Sequence, residues 1–282
     1  MGPSRTTLLL MALLAVSRVS CQIWEDLNLE GSRLQDQGLY RMAEKAFLQA
    51  HSLAVDQFGQ NDVRTAVILH NLAALYATTG KYTEAERRLK ETLVVLEDKL
   101  GDEHPLVARN LSNLGVLYYK LTRCKEAEPL FQRALAILEK TYAPENARVA
   151  VGLTNLATVY AQLGDYPQAE SLFRRALSIL KTSRSQSPYL ATVDQNLGAL
   201  YLRQGDYLQA ETYCHRALEG MEKAYGPDHP DVAGALRAYA AVLRKERRKA
   251  EAKKLEKRAA LIERRHSREN LMGLTIDAQA LR

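Results

Sequence analysis

The chain has 282 residues, 46% of them hydrophobic, with only 8 Pro and 15 Gly; this supports a folded, helix-rich core and excludes a disordered or collagen-like chain. Lys and Arg number 39 against 33 Asp and Glu, net +6. Residues 237–268 alone hold 13 basic and 4 acidic residues, so the rest of the chain is net −3 and the excess is a local basic end, not the body of a nucleic-acid binder.

At the N-terminus Arg5 precedes the apolar run Leu8–Val16, which is too short to span a bilayer and is followed by small and polar residues up to Cys21. Residues 1–21 read as an export signal cleaved after Ser17 or Cys21, which makes the protein periplasmic or secreted. The alternative is lipidation of Cys21, the one route by which this reading places the protein on a membrane; Val19-Ser20-Cys21 fits a lipoprotein signal and Arg18 departs from it. The other cysteines, Cys124 and Cys214, form no CxxC spacing and read as core thiols.

From residue 22 the sequence repeats. Asn71-Leu72 returns at Asn113-Leu114 and Asn155-Leu156, each 42 residues on, and at Asn196-Leu197 after 41. The same spacing aligns Tyr76, Tyr118, Tyr160 and Tyr201, and the pairs beginning at Ala85, Ala127, Ala169 and Ala210, each followed by Glu. Within a copy, Leu69, Leu72, Leu75 and Tyr76 mark one face of a first helix and Ala85, Leu89, Leu93 and Leu96 one face of a second. Gly80, Gly164 and Gly205 between them reverse the chain into an antiparallel pair. Weaker copies flank these four, as the ends of a stacked array require. The expected architecture is all-α, a right-handed α-solenoid of about six antiparallel helix pairs over 22–266, with repeats near 24–61, 62–103, 104–145, 146–187, 188–228 and 229–266. A tail, 267–282, is expected to fold its apolar stretch Leu271–Ile276 back over a basic capping helix.

These residues resemble the tetratricopeptide repeat: Leu114, Gly115, Tyr118, Ala127 and Phe131 in one copy, and Leu156, Ala157, Tyr160, Gly164, Tyr166, Ala169 and Phe173 in the next. The usual repeat is about 34 residues. The extra length here falls between pairs, as at Glu97–Pro105, Glu139–Ala147 and Glu222–Pro230. With the segment Tyr225–Ala233, the pattern is similar to the longer-repeat branch typified by kinesin light chains. The export signal and the lack of a heptad coiled coil argue against a motor subunit.

No Gly-rich phosphate loop, nucleophile elbow or paired-histidine motif occurs among the six histidines and three cysteines. No catalytic residue, cofactor or metal site is expected, and the chain reads as a binding protein and not an enzyme. Each Asn of the repeated pair lies about 100° around the helix from its core Leu, which turns it toward the inner surface of the array. The resemblance implies that Asn71, Asn113, Asn155 and Asn196 hydrogen-bond the backbone of an extended peptide on the concave face; the competing role is orienting neighbouring repeats. Variable columns beside them include Arg109, Lys120, Arg203 and Arg237, which favour an acidic protein or peptide partner. The alternative is a structural scaffold or lipid-tethered assembly factor without a short-peptide groove.

Overall fold

The computed structural model describes residues 23–182 and 188–280, with side chains described through residue 265. The expected signal, both cleavage points and Cys21 lie outside the described residues. Twelve α-helices and no strand occur among the described residues. In chain order they are α1 (23–36), α2 (Tyr40–Phe58), α3 (Val63–Thr78), α4 (Tyr82–Leu100), α5 (Pro105–Lys120) and α6 (Cys124–Thr141). They continue with α7 (Ala147–Leu163), α8 (Tyr166–Thr182), α9 (Pro188–Gln204), α10 (Tyr207–Tyr225), α11 (Pro230–Lys245) and α12 (Lys249–Ala280). Odd-numbered helices are the first helices expected from the repeat and even-numbered ones the second. The chain divides into two compact units, residues 1–117 and 118–282, a division that the repeat period of 41–42 residues does not announce.

In the first unit Trp24 of α1 packs on Ala50 and Ala54 of α2 and on Ile68 of α3, edge-on to Phe58 at 5.8 Å. Ala43 and Ala85, the small residues of the motif, are fully buried. The second unit repeats the arrangement: Ala127, Ala169, Ala210 and Ala252 are fully buried at the start of each second helix, where any larger side chain would push two backbones apart. Gly198 on α9 stands where Ala73, Ala157 and Ala240, and in one copy Gly115, stand elsewhere, and Cys214 Sγ lies 2.5 Å from where its Cβ would sit. Burial pushes the Cys214 thiol up to about 12, so it is a core group and not a nucleophile.

Two kinds of turn alternate. Inside the pairs the reversal needs one left-handed residue, and where Gly is missing Thr122 (φ 61°) and Arg247 (φ 65°) adopt that conformation. Between pairs, Gly59, Gly101 and Gly226 combine φ of 81–87° with ψ of 160–167°, a region open only to Gly. The next helix then starts on a side-chain cap. Asp62 accepts from the Arg64 N–H and Asn146 from the Arg148 N–H, both at 2.9 Å. His104 and His229 accept through Nδ1 from the N–H groups of Leu106 and Asp231, at 3.1 and 3.2 Å.

The C-terminal end differs from expectation. The chain beyond residue 266 does not turn back: α12 runs on as one helix to Ala280. Residues Glu256 and Glu263 of α12 hold Arg244 and Arg237 of α11 in two-point ion pairs, so the last pair closes its flank with matched charges.

Candidate functional site

The Asn column lies on the first helices, one residue before a buried Leu, and all four side chains are half-buried. It separates into two chemically different halves. In the first unit it is used internally: Asn71 Nδ2 donates to Asn28 Oδ1 on α1 at 3.0 Å, and Asn113 Nδ2 meets His70 Nε2 on α3 at 3.0 Å. His70 is buried, and its Nδ1 lies 3.3 Å from the Asn110 amide. A neutral imidazole has one donor and one acceptor nitrogen. Asn110 Nδ2 is the atom facing Nδ1 and Asn110 Oδ1 lacks a partner, so turning that amide over lets Oδ1 accept from Nδ1–H and leaves Nε2 to accept from Asn113. Burial, reinforced by the nearby Arg109 charge, lowers the His70 pKa to about 3, so the ring stays neutral. His70 therefore joins two repeats and is not a groove residue.

In the second unit, Asn155 on α7 and Asn196 on α9 have no side-chain hydrogen bond among the described residues, although each keeps the register of Asn71 and Asn113. Asn196 borders a crevice of about 60 Å³ lined by Tyr119, Thr158, Ala161, Ala199 and Arg203, floored by Phe173 and Leu200. Arg203 is exposed but anchored, donating to the Ala161 carbonyl at 3.0 Å and to Gln162 Oε1 at 2.8 Å. Lys120 and Arg109 are exposed. Arg237 is tied to Glu263 at the end of the chain, which separates it from the other basic candidates.

A second periodic feature passed unnoticed in the sequence. In two copies the Glu of the Ala-Glu pair receives the Tyr of the following first helix: Tyr201 Oη donates to Glu170 at 2.7 Å and Tyr239 Oη to Glu211 at 3.0 Å. Burial first, then the carboxylate, raises both phenols to about 12. Arg174 and Arg248 complete the two clusters. In the third case Gln132 links Tyr160 to Glu128. These Glu residues fasten repeats together and offer no free acid.

His104 and His229 are occupied as helix caps, and the described residues hold no cluster of His, Cys, Asp and Glu able to bind a metal ion. No helix among them is long and apolar enough to cross a membrane.

The sequence profile of the tetratricopeptide repeat matches residues 27–98, 64–140, 106–182 and 189–260. No curated sequence gives a significant match. Solved structures with a similar fold include BtubC (BKLC) from P. vanneervenii, 24% identical, with 86% of this chain and 92% of that one covered at a TM-score of 0.61. Kinesin light chain TPR-like repeats from Podosopora anserina are 21% identical over 71% of this chain and 95% of that one, TM-score 0.57. A Rap protein complexed with Competence and Sporulation Factor is 14% identical over 88% and 76%, TM-score 0.62. At these identities the likeness is one of fold.

Proposed function

The chain belongs to the tetratricopeptide repeat family, and from that premise we propose that it is a protein-interaction module that acts after export and holds an extended partner segment along α7 and α9 of its second unit. The observation that carries this reading is the pair of unbonded carboxamides, Asn155 and Asn196. Their counterparts Asn71 and Asn113 are consumed by inter-repeat bonds, so the same column position is structural in one unit and vacant for a ligand in the other. A carboxamide presents donors and an acceptor together, as an extended backbone requires. The crevice beside Asn196 takes one small side chain, and Lys120 and Arg203 tilt the surface toward acidic residues. A Rap protein of similar fold in complex with Competence and Sporulation Factor supports ligand binding by such arrays.

Arrays of short peptides probed with the purified protein test the proposal. Retention of a peptide class with acidic residues, competed by excess free peptide, is the expected result. Capture of a folded partner with no affinity for any peptide would instead make the chain a scaffold. Mass spectrometry of the exported form decides the N-terminal part: loss of 17 or 21 residues supports export, and a diacylglyceryl mass on Cys21 selects the tethered form.

A further inference from the structure

We propose that the solvent face of α12 is a docking surface for an anionic lipid membrane. Lys253, Lys257, Leu261 and Arg264 follow one another at spacings of four, four and three residues, a single stripe along the helix, with Lys254 beside it. All are exposed, and Leu261 is 64% exposed, among the most solvent-facing aliphatic side chains of the described residues. The helix is anchored from its opposite side by Ala252, Leu255, Ala259 and Ile262 against α10 and α11.

What distinguishes this stripe from an ordinary wet helix face is the fate of the acids. Glu251, Glu256 and Glu263 all point toward arginines of the preceding residues, in ion pairs with Arg248, Arg244 and Arg237. Two more arginines of the helix, Arg258 and Arg265, are spent on Glu222 and Asp228. Lys253, Lys257 and Arg264 are left with no carboxylate partner among the described residues, and no acid interrupts the outward stripe; Lys254 beside it lies within the field of Glu251.

The form of the stripe selects the partner. A straight row of cations, Lys253, Lys257 and Arg264, flanked by the small Ala250 and Ala260, meets a plane of diffuse negative charge along its whole length. Lysine is a point charge without the two-pronged geometry that reads base edges, and the stripe has no aromatic residue for stacking on single-stranded nucleic acid. Leu261 can enter the headgroup boundary where a polynucleotide would gain nothing from it.

Sedimentation with vesicles tests this, using phosphatidylcholine alone or with a third of phosphatidylserine. The protein should bind only the anionic vesicles and release them as salt rises. Each cation near such a surface is worth about fivefold in affinity, so Lys253→Gln, Lys257→Gln and Arg264→Gln together should weaken binding about 100-fold. Their exposure predicts an unchanged melting curve, and Leu261→Ser alone should also weaken binding. Equal binding to neutral vesicles would point to an acyl anchor and overturn the proposal. So would undiminished binding by the triple variant, or a preference for duplex DNA over anionic vesicles.

Discussion

Replacing Asp194 by Leu should stabilise the second unit. Asp194 sits on α9 in the column that holds Leu69, Leu111, Leu153 and Leu236 in other repeats, and it is only 2% exposed. Arg216 approaches it at 3.0 Å, and Lys181 is the other cation acting on it. Burial outweighs both and pushes the carboxyl from 3.8 up to about 6. At about 1.4 kcal/mol per unit, the ionised group costs roughly 3 kcal/mol at pH 7. Leu removes that cost, leaves the half-exposed Arg216 to water, and meets some overpacking of about 1–3 kcal/mol, so a net gain of up to about 2 kcal/mol is expected. Because the folded state binds this proton more tightly than the unfolded state, the wild-type penalty fades as pH falls from above 6 toward 4. The gain from Asp194→Leu should therefore shrink toward zero or change sign at pH 4. His70 has the opposite linkage: its pKa is lowered in the folded state, so its neutral burial destabilises the first unit as pH falls below 6.5. Hydrogen exchange resolved by helix separates the two, with α9 and α10 reporting Asp194 and α3 reporting His70. A variant less stable than wild type at pH 7, or a gain unchanged between pH 7 and pH 4, would refute the reasoning.

Three further outcomes are expected. Ala169→Leu should destabilise by about 3 kcal/mol or more, since a fully buried contact between α7 and α8 has no room for three added carbons; an unchanged melting curve would show the close contact to be absent. Tyr201→Phe and Glu170→Ala should each cost about 1–2 kcal/mol, because the first deletes the bond to Glu170 and the one from Arg174, and the second removes the carboxylate that Tyr201 and Arg174 share; denaturant titration gives the values, and neutrality of both would remove the cross-repeat bond from the account. His104→Asp should raise stability by about 0.5–1 kcal/mol, since a carboxylate caps α5 as Asp62 caps α3 and also favours the helix dipole; a lower melting temperature would contradict it.

Most of the fold was legible because helix packing repeats its demands: a small residue at each close approach, an aromatic beside it, and a core Leu one helical turn away return on a fixed period. The second helices run to 19 residues in α4 and α10 against 16 in α3, α5 and α11, as the added length between pairs implied. Polar positions were harder to read, because a side chain's chemistry does not reveal its partner. Nothing in the Ala-Glu pair itself tells that its Glu meets the Tyr of the following first helix. Asn71 and Asn155 both open the triplet Asn-Leu-Ala, yet Asn28 stands opposite the former. Two signals could have been taken from the period itself: the cap column Asp62, His104, Asn146 and His229, and Asp194 as the acid in a Leu column. The extension of α12 could not, since Gly273 in a helix interior costs only about 1 kcal/mol and does not by itself stop the helix.

The central claim is that one half of the Asn column binds and the other half builds. It is tested by measuring partner affinity and melting together on two double variants, Asn155→Ala with Asn196→Ala and Asn71→Ala with Asn113→Ala. At about 0.5–1.5 kcal/mol per hydrogen bond lost, the first should weaken binding tenfold or more while melting as wild type does. The second should instead lower the melting temperature, because Asn113→Ala leaves the buried His70 ring without its acceptor bond. Wild-type affinity in the Asn155 and Asn196 variant would contradict the claim outright.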